Sequence, residues 1–174
     1  MPRRPVIGVM GGSASAPATL ESARRFGRLA AEAGWVVLTG GRPAGVMEAA
    51  SEGAKSVPGS LTVGILPTGP EGPVSAAVDL AVFTGIGEAR NAINVLSSDV
   101  VVACGVEGPG TASEVALALR LARPTILLAP SMEAAAFFRT IEAPGSLYEV
   151  GNPEAAVEVI EHRLGLARWA ISSG

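Results

Sequence analysis

The sequence predicts an α/β fold of three layers, a parallel sheet with helices on both faces. Three observations point there. Short, unbroken apolar runs such as Val100-Val101-Val102-Ala103 recur along the chain, and a strand reads that way when both of its faces are covered. Stretches of helical length separate these runs, and this alternation is the signature of parallel strands joined by crossover helices. Glycine-rich turns stand where several strands end and the next helices begin.

The first strand is expected over 5–10, and the Gly11-Gly12-Ser13 turn leads from it into a helix over 17–33. A second strand over 35–38 runs through Thr39-Gly40-Gly41-Arg42-Pro43-Ala44-Gly45 into a helix over 46–55. A third strand over 61–66 precedes a Pro/Gly-rich loop, 67–73, expected as a lid or an edge. A short strand over 78–83 and a helix over 88–97 come next, then a strongly apolar strand over 99–103. The second glycine turn, Gly105-Val106-Glu107-Gly108-Pro109-Gly110-Thr111, opens a helix over 112–122. A strand over 124–129, a helix over 132–140 and an extended piece near 146–150 continue the pattern. Asn152-Pro153 starts the last helix, a capping side chain followed by proline at the first helical position.

The 174 residues suffice for one domain with a sizeable core, expected to span 1–174, and are too few for two ordinary ones. Only 17% of them are charged, against roughly 25% in soluble chains generally. Hydrophobic residues reach 48% and mean hydropathy is +0.41, so some apolar surface is expected in a subunit interface. A net charge of -3 without a basic stripe argues against a nucleic-acid partner. Arg24, Arg25 and Arg28 cluster on one helix and read as a solvated or partner-facing face. The lone Cys104 cannot form an intrachain disulfide, and no run reaches the roughly 18 apolar residues of a membrane span. Met1-Pro2-Arg3-Arg4-Pro5 is basic, yet the apolar run behind it breaks at Gly11-Gly12-Ser13, unlike a secretory signal. The expected setting is therefore the reducing cytoplasm, with no membrane partner.

Glycine lets a backbone approach a ligand closely, and a helix N-terminus offers unpaired N–H groups at the positive end of its dipole. Two such turns at the carboxyl ends of parallel strands, where open α/β sheets bind their ligands, predict one crevice for a phosphorylated, nucleotide-like molecule. Gly11-Gly12-Ser13 and Thr84-Gly85 also end strands and are expected to converge on it. Neither glycine turn is a GxGxxG fingerprint, and no acidic residue closes the second strand as NAD binding prefers. A GxxxxGK[ST] run is absent, which argues against ATP hydrolysis of the P-loop kind.

In their order and spacing these motifs resemble the LOG-like proteins, once labelled lysine decarboxylases, within a wider Rossmann-like nucleotide-binding superfamily. The pattern there is GGGxxGxM after the second strand, an arginine near the start of a helix, and PGGxGTxxE after a later strand. Gly40, Gly41, Gly45 and Met47 match the first motif, Arg90 the arginine, and Gly108, Gly110, Thr111 and Glu114 the last, over about residues 6–128. The run Gly87-Glu88-Ala89-Arg90-Asn91-Ala92-Ile93-Asn94 is more similar to the short, molybdenum-cofactor-carrier-like branch than to the cytokinin-activating one. The resemblance implies a Rossmann-like sheet, a homo-oligomer (dimer or tetramer) and a small phosphorylated ligand, either a nucleoside monophosphate or molybdopterin-like. No cofactor is expected. With one histidine and one cysteine, a metal centre or a histidine triad has little support.

LOG enzymes hydrolyse the N-glycosidic bond of cytokinin riboside 5'-monophosphates, so the resemblance gives Glu114 and Arg90 catalytic roles. A ribosyl-cation-like transition state needs a nearby carboxylate and a positioned water. Glu114, expected in the first turn of its helix where the dipole favours the charged form, supplies the carboxylate; a dipole-complementing cap is its alternative role. Arg90 offers a planar fork that could hold the phosphate or orient Glu114, and could equally pair with Asp99. On the expected helix 88–97, Ala89, Ile93 and Leu96 form the buried stripe, while Arg90 and Asn94 share another. Ligand contacts are expected from Gly11, Gly12, Ser13, Gly40, Gly41, Arg42, Gly45, Met47, Asn91, Gly108, Gly110 and Thr111, with Asn94 beside Asn91 at the rim.

The departures matter as much. Glu107 replaces a glycine of the PGG run and places a negative charge near the expected phosphate cradle. Pro109 removes a backbone donor. Asn91 stands where cytokinin-activating members carry lysine, and Arg42 takes the third glycine of the first motif and restores the charge. A pyridoxal-phosphate decarboxylase needs a Schiff-base lysine, and the one lysine, Lys55, sits at a helix end. Cys104 reads as a small core residue and His162 as a surface one. The apolar segment 132–138, with Phe137 and Phe138, fits either an internal contact or an interface. Three functions remain. A nucleoside 5'-monophosphate phosphoribohydrolase stands slightly ahead, because Arg90 and Glu114 are both kept. A non-catalytic carrier of molybdenum cofactor or a related phosphorylated pterin is the alternative. A sensor module comes last, since no appended effector domain is visible.

Overall fold

The computed structural model describes residues 3–165, which leaves Met1 and Pro2 of the basic N-terminal run outside. Among the described residues the strands are β1 (Val6–Met10), β2 (Val36–Thr39), β3 (Leu61–Leu66), β4 (Leu80–Phe83), β5 (Val100–Cys104), β6 (Thr125–Leu128) and β7 (Leu147–Val150). They form one sheet in the order β4-β3-β2-β1-β5-β6-β7, and every neighbouring pair is parallel. The helices are α1 (Pro17–Glu32), α2 (Gly45–Lys55), α3 (Asn91–Leu96), α4 (Pro109–Arg120), α5 (Met132–Ile141) and α6 (Pro153–Arg163).

Alternate residues of the central strands serve opposite layers, as the strand period of two requires. Ile7, Val9, Val100 and Val102 join Phe26 of α1, Ala50 of α2 and Ile160 of α6 in one core. On the other face Met10 and Val101 meet Val95 of α3 and Ala118 of α4, while Ala103 and Leu127 meet Val115 of α4 and Phe138 of α5. The result is the three-layer, Rossmann-like sheet. Helix α1 follows β1 on one face and α4 follows β5 on the other, so the chain changes face between these two adjacent strands. A crevice opens at the carboxyl ends of strands at such a point.

Glycine sets the spacing of α1 and α2. A Cβ on Gly27 would lie 2.0 Å from the Ala50 carbonyl oxygen, and one on Gly53 would lie 1.9 Å from that of Arg24. The arginine cluster of α1 is neutralised by ion pairs: Arg24 with Glu52, Arg25 with Glu154 and Arg28 with Glu32. Asp99 pairs with Arg3 at 2.6 Å and accepts the Val6 N–H at 2.9 Å, so it is not the partner of Arg90. Cys104 is fully buried, and burial pushes its thiol up to about 12. His162 is exposed on α6. Phe138 is buried and Phe137 exposed, their rings edge to face at 5.1 Å. Among the described residues no helix is long and apolar enough to cross a membrane.

Two helices differ from their expected form, and both matter for the site. Residues 88–97 are not one helix: Gly87–Arg90 is a 3-10 turn, and α3 begins at Asn91. A 3-10 turn advances 3.0 residues per turn against 3.6 for the α-helix, which rotates the faces away from a uniform helical count. The buried side is accordingly Arg90, Asn91, Asn94 and Val95, while Ala89 and Leu96 are exposed. Helix α4 begins at Pro109 rather than 112, with Pro109 in its first turn and Gly108 as N-cap. Proline at that position gives up an N–H that has no intrahelical partner anyway.

Candidate functional site

A cavity of about 210 Å³ opens at the carboxyl ends of β1, β2 and β5. The two glycine turns contribute to it in different ways. In the first, the glycines are there for close packing. A Cβ on Gly45 (φ +57°) would lie 2.1 Å from the Gly12 carbonyl oxygen, and one on Gly11 would lie 2.5 Å from Val46. Val46 N–H donates to Gly12 O at 3.0 Å, which splices the start of α2 to the turn after β1. In the second turn, a Cβ on Gly108 or Gly110 would meet nothing within 4 Å. Both residues line the cavity, and the Gly110 and Thr111 N–H groups, at the N-terminus of α4, have no intrahelical partner. Open backbone donors are therefore available to the cavity at α4.

Arg90 lies against the floor. It is only 5% exposed, and the missing side chain of Gly40 makes room for it: a Cβ there would sit 2.7 Å from Arg90 Nη1 and 2.7 Å from Met47 Sδ. Its nearest countercharge is Glu114 Oε1, 3.8 Å from Nη1, beyond hydrogen-bond reach. Arg90 Nε is buried without a partner, and the guanidinium makes no hydrogen bond among the described residues. Asn94, fully buried behind the cavity rather than at its rim, donates from Nδ2 to Glu114 Oε1 at 2.8 Å. Asn91 donates to Ser113 Oγ at 3.2 Å, and that hydroxyl donates to Gly110 O at 2.7 Å, bracing the α4 turn. At the mouth, Arg42 pairs with Glu88 at 2.6 Å.

Burial dominates the electrostatics of the floor. It pushes the Glu114 carboxyl above its ordinary value, against the opposing effects of the Asn94 hydrogen bond and Arg90. It also lowers the Arg90 guanidinium, opposed by Glu114 and Glu88. Because α4 starts at Pro109, Glu114 lies in its second turn, beyond most of the dipole's reach. The first-turn argument for an ionised Glu114 therefore fails. What the floor offers is a planar fork of uncommitted donors beside open backbone N–H groups, an arrangement suited to a phosphate-sized anion.

A model of the SLOG cluster4 family matches residues 4–157. The chain belongs to this family. It is 48% identical to the molybdenum cofactor binding protein of Rippkaea orientalis, with a TM-score of 0.89 over 93% of this chain and 98% of that one. It is 42% identical to the molybdenum cofactor carrier protein of Chlamydomonas reinhardtii, with a TM-score of 0.86 over 94% and 99% of the two chains. An uncharacterized protein of Archaeoglobus fulgidus is 42% identical over 71% of this chain and 80% of its own. The LOG-like resemblance, including its short carrier-like branch, is thereby established.

Within this SLOG cluster4 chain, the cavity gathers Gly11, Gly12, Ser13, Gly40, Arg42, Met47, Arg90, Asn91, Gly108, Gly110, Thr111 and Glu114. Gly41 and Gly45 stay outside its lining. Gly41 (φ +73°) packs on Leu66 and Gly64, so both shape the turn from behind. Thr84 and Gly85 do not reach the cavity, because β4 lies three strands from β1, about 14 Å away across the sheet. Glu107 is also outside. Its carboxylate accepts from Thr19 Oγ1 at 3.3 Å, turned aside from the cavity. Val9, Met10, Glu88 and Pro109 line the cavity without having been expected there. Glu88 stands two residues before Arg90, and treating its segment as a turn would have found it.

Proposed function

We propose that this protein is a carrier of molybdenum cofactor or a related phosphorylated pterin, holding it in the cavity between β1 and β5 without turnover. The observation that carries the reading is the buried Arg90, whose guanidinium hydrogen-bonds to nothing among the described residues and faces a cavity flanked by Gly110 and Thr111. A buried cation in that state is costly and makes sense where an anion completes it. The two relatives at 48% and 42% identity, described as binding or carrying molybdenum cofactor, give that anion its chemical class. This reverses the order drawn from sequence alone.

The phosphoribohydrolase reading keeps one observation, the Arg90–Glu114 pair in the cavity. Against it, Asn94 already occupies Glu114 Oε1, and the two relatives are described as binding or carrying molybdenum cofactor; the burial that raises Glu114 is compatible with either reading. One experiment separates the two. The protein is incubated with molybdenum cofactor released from a donor enzyme, and molybdenum co-eluting on gel filtration is counted per chain. A parallel incubation with purine, pyrimidine and cytokinin riboside 5'-monophosphates is assayed for free base. Retained molybdenum that is lost in Arg90→Gln, with no base released, is expected. Base release that requires Glu114 would restore the hydrolase.

We also infer a homo-oligomer. Leu80 and Val82 pair in register with Val63 and Ile65, on the face covered by α3 and α4. They remain 55% and 38% exposed, as does Leu96 of α3 at 56%, an apolar area suited to a subunit contact.

A further inference from the structure

The cavity holds two arginines in opposite states. Arg90 is buried 3.8 Å from Glu114 and makes no hydrogen bond among the described residues. Arg42, at the mouth, is partly exposed and engaged by Glu88. The engagement joins two separate pieces of chain, the turn after β2 and the 3-10 turn before α3, and both residues line the cavity. A carboxylate at the mouth of an anion site is otherwise a liability, because its field opposes the ligand. Here its charge is matched by a cation that the glycine motif does not call for.

We propose that Arg42 is a second anion-binding group of this cavity, and that Glu88 is a positioning residue that holds it aside until the ligand displaces the carboxylate. The inference rests on the cavity being an anion site. Exchange is physically easy. The pair is 36% and 64% exposed by side chain, and exposed pairs are weak and screened by salt. Arginine forms bidentate bonds with phosphate as readily as with carboxylate. Releasing Glu88 leaves Arg42 free to close over a ligand already seated against Arg90 and α4. It also subjects the ligand to a selection, since an anion too small to reach the mouth leaves the pair intact.

The test is a double-mutant cycle read by calorimetric titration with inorganic pyrophosphate, a probe with two phosphate groups, at low ionic strength. Wild type, Arg42→Ala, Glu88→Gln and the double variant are compared, with Arg90→Gln as the control on the site itself. Glu88→Gln is expected to tighten binding about five- to tenfold, and Arg42→Ala to weaken it by a similar factor. In the Arg42→Ala background the free-energy gain from Glu88→Gln should be less than half of that in wild type, because no arginine is left to release and only the carboxylate's field is removed. An equal gain in both backgrounds means that Glu88 acts only through its field, and overturns the latch alone. Binding by wild type that Arg90→Gln leaves unchanged, or no binding by any variant, overturns the anion site and the latch with it. Arg42→Lys adds a separate check: it keeps the charge and loses the fork, and should recover less than half of the binding free energy lost in Arg42→Ala.

Discussion

Replacing both charges at the cavity floor, as Arg90→Met with Glu114→Gln, is expected to make the protein more stable while abolishing ligand binding. At 3.8 Å and an effective dielectric constant of about 20, the pair's attraction amounts to about 4 kcal/mol. Each buried ion gives up several kcal/mol of hydration, so the pair does not repay both. Burial as the largest cause on each partner, driving both toward neutrality, agrees. The double variant removes both desolvation costs, and the amide oxygen introduced by Glu114→Gln still accepts from Asn94. A gain of about 1–3 kcal/mol follows, or roughly 2–4 °C of melting temperature per kcal/mol for a chain of this size. The single variants should differ from each other. Glu114→Gln strands a guanidinium that cannot shed its proton, and should cost about 2–4 kcal/mol near neutrality. Arg90→Met leaves a carboxyl that escapes by taking up a proton. The folded state then holds a proton that the unfolded chain has lost, so stability should fall as pH rises from 4.5 through the raised folded value. Urea unfolding of the four proteins at pH 5 and pH 8 reads all of this. A double variant less stable than wild type by more than about 1 kcal/mol would refute the desolvation argument.

Gly40→Ala should displace the Arg90 guanidinium, 2.7 Å from the added Cβ, and lower molybdenum retention about tenfold with a melting change of a few degrees at most. Gly27→Ala should leave the site chemistry alone and cost about 2–4 kcal/mol in urea unfolding, because its Cβ falls 2.0 Å from the rigid Ala50 carbonyl. Arg3 holds the Asp99 carboxyl below its ordinary 3.8, so its stabilisation is present above that value and disappears as pH falls through the depressed folded one. Asp99→Asn should therefore cost less than about 1 kcal/mol at pH 7, because solvent screens the exposed Arg3 partner, with the difference from wild type gone in strong acid. Leu80→Asp with Leu96→Asp should reduce the sedimentation coefficient if these residues cover a subunit contact, and an unchanged value would remove that face from consideration.

Which parts of this molecule were legible in its residues follows from how local the governing physics is. The strands were readable because a strand covered on both faces has no choice but to be apolar, and Val100 to Cys104 carry that record residue by residue. The glycine turns were readable for a related reason: a Cβ at Gly45 would meet backbone, so no other residue type fits there. The segment around Arg90 was misread because its periodicity depends on where a 3-10 turn gives way to an α-helix, and nothing in Glu88-Ala89-Arg90 marks that point. At α4 the helix begins three residues earlier than expected, which moves Glu114 out of the first turn, and the sign of its electrostatics is set by burial, which no local pattern records.

That difference bears on function. Seen as a sequence, arginine and glutamate in a glycine-rich crevice resemble a catalytic pair. Seen in place, they are two buried ions too far apart to hydrogen-bond, each pushed toward neutrality by its surroundings. A hydrolase gains from a carboxylate poised to take a proton; the burial that raises Glu114 suits that role, but Asn94 already occupies one of its oxygens. A carrier needs something else: a cationic floor left incomplete until the cargo arrives, so that binding relieves a strain the empty protein must carry. The greater stability expected of the double variant and its loss of binding are two consequences of that one arrangement, and measuring both on the same protein tests it more stringently than either alone.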